Sequence, residues 1–224
     1  MNNKLLYSLL ITAVPAFISC ESNQGKNKPD VTVQTATVKK SPLYNDSLAT
    51  KLAFIYENDQ QDRRKVESTL VRYGMESLQM DTIIKLINKK DAANLISVKA
   101  ILDKYGWLGD DVVGETGRSA LFLVIQHADQ KDQEHYLPGL RIAVKEKKAL
   151  AKDLALMEDR VALGKGKKQI YGTQFGRDNK TGKYFLRPLT DPDHVEERRA
   201  KMDLPPIADA LSNWRIKWNP EDYK

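Results

Sequence analysis

The stretch Ser119-Ala120-Leu121-Phe122-Leu123-Val124-Ile125 is apolar on every side at helical spacing, and it stops abruptly at Gln126-His127-Ala128-Asp129. A helix without a polar face needs neighbours all round, so this segment places one buried helix in the middle of a bundle. Amphipathic partners surround it in the sequence. Leu48, Leu52, Ile55 and Tyr56 share one face of a helix that Asp46 or Ser47 can cap. Val66, Leu70 and Tyr73 mark a second helix, from Asp59 to the stop at Gly74. Ile83, Ile84 and Ile87 mark a third, and Leu95, Val98, Ile101, Leu102 and Tyr105 a fourth that ends at Gly106. Trp107 to Gly117 carries three glycines and reads as a loop. Further helices are expected from near Pro138 to about Lys147, and from about Ala149 to Leu163, closed by Gly164.

After Gly166 the period changes from helical to alternating. Gln169 to Phe175 and Lys183 to Leu186 flank Asp178 to Gly182, the pattern of a β-hairpin with a long loop over about residues 168–188. Asp191-Pro192 then opens a charged helix through Met202, Pro205-Pro206 breaks it, and a short last helix carries Leu211 and Trp214. The expected fold is mainly α, an irregular helical bundle with one β-hairpin inserted before the C-terminal helices. Residues 46–224 form its single domain, with no internal repeat.

The N-terminus reads as an address. Lys4 precedes an apolar run from Leu5 to Ile18 that Pro15 interrupts, far short of the roughly 20 residues a membrane-spanning helix needs. Phe17-Ile18-Ser19-Cys20 resembles the bacterial lipobox, in which the signal is cut before the cysteine and lipid is attached to its thiol. Residues 1–19 are therefore expected to be a lipoprotein signal peptide, and Cys20 the lipidation site. Cys20 is the only cysteine in the chain, so no internal disulfide competes for it. Several acyl chains on one residue give stable attachment where one would be marginal. Glu21 follows, not the aspartate of an inner-membrane retention signal, which points to the outer membrane facing the periplasm. Residues 20–45 are polar, without helical period, and read as a flexible tether.

The formal charge is +6, yet both signs are interleaved along a chain that is 29% charged. Such mixing describes solvated helix faces and no concentrated nucleic-acid footprint. The partners expected are the membrane, through Cys20, and an envelope protein or small polar ligand, with no nucleic acid.

Gln126-His127-Ala128-Asp129, Glu158-Asp159-Arg160-Val161 and Gln169-Ile170-Tyr171-Gly172-Thr173-Gln174 stand out as polar motifs set among apolar helices. In this order and spacing, with Gly106-Trp107, Leu137-Pro138 and the Arg198-Arg199 helix, they resemble the bacterial domain of unknown function 6624. The resemblance runs from about residue 50 onward and implies no established reaction.

Chemistry must then be argued from the residues. His127 ends an apolar helix, where the dipole favours imidazolium while burial opposes it. It can act as a general acid or base oriented by Asp129 or Asp159, or simply bond to helix-end carbonyls. Asp159 and Arg160 are neighbours on a helix and cannot face each other, so each needs a partner elsewhere. Asp159 can meet His127 or the hairpin; Arg160 can grip a ligand anion or form a structural ion pair. Strand alternation would put Gln169, Tyr171 and Thr173 on one face, with Gln174 on the other. With Gln126 and Arg160, these residues form the candidate ligand-binding set. They suit a polar ligand or an internal network equally. His127, Asp129 and His135 match no standard zinc spacing, so no metal site is expected. No cofactor motif and no serine or cysteine nucleophile motif is present. Two functions follow: a non-enzymatic binding module, or a hydrolase or lyase of an envelope polymer using His127.

Overall fold

The computed structural model describes residues 41–178 and 181–224. The signal segment, Cys20 and the tether as far as residue 40 lie outside the described residues, as do residues 179–180 of the hairpin loop. In chain order the helices are α1 (Asp46–Arg63), α2 (Val66–Tyr73), α3 (Leu78–Tyr105), α4 (Asp110–His127), α5 (Gln130–Lys145) and α6 (Ala151–Gly164). Strands β1 (Phe175–Arg177) and β2 (Tyr184–Leu186) follow, then α7 (Val195–Ala200) and α8 (Ile207–Ser212). Among the described residues, no helix is long and apolar enough to cross a membrane. The architecture is the mainly helical one, with a small antiparallel hairpin before the C-terminal helices.

Most of the apolar circumference of α4 is buried as its pattern requires, with Leu123 partly exposed. Ala120, Leu121 and Ile125 are fully inaccessible and pack with Leu52 and Ile55 of α1, Val98 and Ile101 of α3, Leu140 of α5 and Met157 of α6. Each such aliphatic side chain contributes about 2 kcal/mol by leaving water. A second cluster joins Phe175, Leu186, Leu189, Val195, Ile207 and Leu211, uniting the hairpin with the C-terminal helices. A third, of Val66, Met80 and Ile87, fastens α2 to the first half of α3.

Several boundaries differ from the sequence reading. The cap of α1 is Asn45, whose side chain accepts from Leu48 N–H, and not Asp46 or Ser47. Asp59 belongs to α1, which runs on to Arg63, so α2 begins only at Val66. The third and fourth expected helices are one continuous α3, because Asn88 to Asn94 contains neither Gly nor Pro to end it. The glycine-rich stretch after Gly106 is helical from Asp110, interrupted only at Gly114 (φ 71°), against which Tyr44 packs. Pro138 lies inside α5, whose start is set by its N-cap Asp129, more than two turns earlier. Asn45 N–H already bonds to Val112 O, so the last tether residues are docked on α4. The hairpin is shorter than expected: Phe175, Gly176 and Arg177 pair with Leu186, Phe185 and Tyr184, while residues 170–174 are not strand.

Candidate functional site

The last turn of α4 presents its carbonyls to side chains from two other helices. Gln126 O accepts from Arg160 Nη1 at 3.0 Å and from Gln133 Nε2 at 2.9 Å, and Gln133 also reaches Ala128 O at 2.8 Å. These bonds satisfy carbonyls that a helix end leaves open. Asp129 accepts from Asp132 N–H at 2.9 Å and so is the N-cap of α5. The chain turns at 128–129, which puts His135 on a different helix from His127. His135 packs edge-on against Tyr136 in an open groove of about 490 Å³ with Lys99, Asp103 and Asp132.

His127 is oriented by neither Asp129 nor Asp159. Its Nδ1 lies 3.0 Å from Asp59 Oδ1, a residue of α1, and both side chains are almost fully buried. Asp59 Oδ2 accepts from Gln60 Nε2 at 2.6 Å. Arg63, one turn on, lies 3.4 Å from Asp59 and donates to both oxygens of Asp91, on α3, at 2.8 and 2.7 Å. Burial pushes His127 below the ordinary histidine value, with Asp59 opposing and Arg63 assisting. Burial therefore prevails over the attraction of Asp59, and the imidazole is neutral near pH 7. For Asp59, burial works upward, but His127 and Arg63 beside it hold the carboxyl below its ordinary value. Arg160 is lowered to about 10 by burial, then by the like charges of Arg63 and Arg187.

Asp159 has a different task. Fully buried on α6, its Oδ1 accepts from Ile170 N–H at 2.6 Å and Tyr171 N–H at 3.0 Å, and its Oδ2 from Thr173 N–H at 3.0 Å and Thr173 Oγ1 at 2.9 Å. Burial pushes this carboxyl up, against the pull of those donors. The carbonyls of the same segment are held from the other side. Arg198 donates to Ile170 O at 2.8 Å, and the buried Arg199 to Tyr171 O at 2.7 Å. Wrapping one carboxylate this way bends the backbone out of a ladder, which is why the expected alternation of faces does not hold. Gln169 Nε2 bonds to Gln174 O and Arg187 O, and Gln174 N–H returns a bond to Gln169 Oε1. Tyr171 OH donates to Glu158 at 2.9 Å, and burial together with Glu158 pushes the phenol up. Gln169, Tyr171, Thr173 and Gln174 are thus joined to the scaffold, not displayed on a strand face.

Sequence reading looked for the partners of His127 nearby and missed Asp59, Arg63 and Asp91. The signal was present: Asp59 falls on the Leu52, Ile55 face of α1, and Asp91 between Ile87 and Asn94 on the buried face of α3. Asp59, Asp91 and His127 each offer a ligand atom within 4.8 Å of the others, a set whose sequence spacing gives no hint of it.

No curated protein and no solved structure is detectably similar to the chain. A family model described as a family of unknown function (DUF6624) matches residues 46–215, which take in α1, α4, α6, the hairpin and α8. The chain belongs to that family.

Proposed function

We propose that this domain is a binding module for a polar, anionic ligand, held at the bacterial cell envelope through lipid on Cys20. The observation that carries the reading is the setting of Arg160. Its guanidinium is buried beside the carbonyl of Gln126, and the charges of Arg63 and Arg187 press on it. With Arg63 and Arg187 close enough to press on Arg160, cations concentrate at this end of the bundle, and low polarity strengthens their attraction for an anion. A guanidinium also matches the paired oxygens of a carboxylate or phosphate. Gln126, whose carbonyl Arg160 holds, precedes His127, which meets Asp59. Asp91, which pairs with Arg63, is 22% exposed and so is the most solvent-accessible of these acidic groups.

The domain's place follows from the lipobox and from Glu21: the outer membrane, facing the periplasm, with an envelope protein or small polar ligand as partner and no nucleic acid. The test is thermal unfolding of the full chain against phosphate, sulfate, uronates and peptidoglycan fragments. One class should raise the melting temperature of the wild type and leave Arg160→Gln unmoved, since a ligand that binds only the folded state stabilises it. Equal shifts in both proteins would refute the reading.

A second reading, hydrolysis or elimination on an envelope polymer, is favoured by the 3.0 Å contact of His127 Nδ1 with Asp59. A carboxylate on Nδ1 fixes the ring's tautomer and supports a general acid or base. Asp59 takes the orienting role that Asp129 and Asp159, spent on a helix cap and on the hairpin segment, do not fill.

A further inference from the structure

Three helices deliver donor atoms to one point. Asp59 from α1, Asp91 from α3 and His127 from α4 present ligand atoms that all lie within 4.8 Å of one another. The 3.0 Å hydrogen-bond contact between His127 Nδ1 and Asp59 Oδ1 is also the separation of two ligands at right angles on one ion at about 2.1 Å. A cation already stands between the carboxylates, the guanidinium of Arg63. It fills the place imperfectly. Arg63 Nε is buried and has no acceptor among the described residues. Asn94 Nδ2, one turn beyond Asp91 along α3, and Gln126 Oε1, on the residue before His127 in α4, are likewise buried without a hydrogen-bond partner among the described residues. These two side chains are 3% and 1% exposed. Each such atom costs about 1–3 kcal/mol, and the one on Arg63 lies on the side chain that bridges Asp59 and Asp91, whose present bonding is thus incomplete.

We propose that Asp59, Asp91 and His127 form a site for a divalent transition ion of the zinc or manganese class, and that Arg63 is a stand-in cation which the ion displaces. One imidazole nitrogen and two carboxylate oxygens suit these ions, and a charge of two between the carboxylates compensates them better than one. The ion site stands on the ligand geometry. Only its use, to hold the ligand anion together with Arg160, rests on the anion-binding reading.

The full chain, stripped with chelator, is titrated separately with Zn²⁺ and Mn²⁺ in chloride buffer by calorimetry, and bound metal is counted after gel filtration. One ion per chain is expected, weakened about tenfold or more in Asp91→Asn and His127→Ala. Arg63→Gln should bind more tightly, since no guanidinium competes. Asp91 is partly exposed, so Asp91→Asn keeps the test decisive if His127→Ala fails to fold. Stoichiometric binding with this variant pattern supports the site whether or not any anion binds. Absence of bound ion in both wild type and Arg63→Gln would overturn it, as would an Asp91→Asn protein that binds like wild type.

Discussion

Asp59 and Asp159 are both buried aspartates at helix positions, yet they are held in opposite ways. Asp159 receives backbone N–H groups of Ile170, Tyr171 and Thr173 and the Thr173 hydroxyl. Asp59 receives side chains: an imidazole, an amide and a guanidinium that it shares with Asp91. Backbone donors neither titrate nor swing away, so the Asp159 arrangement can only hold. Side-chain donors can do both, and Arg63, which bridges Asp59 and Asp91, has a buried Nε without an acceptor among the described residues. Burial alone therefore does not separate scaffold from site; the kind of donor does.

The largest effect should come from Asp159→Asn. The amide keeps the shape but presents an N–H₂ to converging N–H donors and removes the charge they were arranged for, costing about 3 kcal/mol or more. Chemical denaturation measures it, and a loss under about 1 kcal/mol would erase the contrast drawn with Asp59. Gly172→Ala strikes the same clamp more gently. Its φ of 70° disfavours a side chain, and the new methyl would lie 2.8 Å from Ile207 Cδ1. About 1–2 kcal/mol is expected by the same assay.

The other side of the comparison is sharpened by pH. His127 is held neutral when folded, with its proton affinity below the unfolded value near 6.5. The unfolded chain thus binds the proton first, so the stability His127 contributes is fully present above about pH 6.5 and is lost as pH falls below it. Between pH 7.5 and 5.5 the wild type should lose about 1 kcal/mol more than His127→Asn, whose amide keeps a donor for Asp59 without titrating. Equal losses would mean that the ring is protonated in the folded protein at the lower pH.

The fold was legible where one helix governed the choice. The all-round apolar Ser119 to Ile125 had to be central, and it is. Element ends were less legible because they depend on local bonds, such as the Asn45 and Asp129 caps, or on the lack of any breaker between Ile87 and Leu95. At the site, His127, Asp159 and Arg160 were visible as polar residues set in apolar helices. Their partners were not, since Asp59 and Asp91 join His127 only when α1, α3 and α4 pack side by side. Alternation in residues 169–174 suggested a strand because sequence pattern does not reveal that a buried carboxylate will claim the backbone.

The most direct test of the contrast is His127→Asn, measured for unfolding free energy at pH 7.5 and for stabilisation by the anion that protects the wild type. The account predicts stability within about 1 kcal/mol of wild type, because the donor to Asp59 remains, together with a lost or strongly weakened response to the anion. A protein destabilised as severely as Asp159→Asn, or one that responds to the anion as the wild type does, would contradict it and make His127 part of the scaffold.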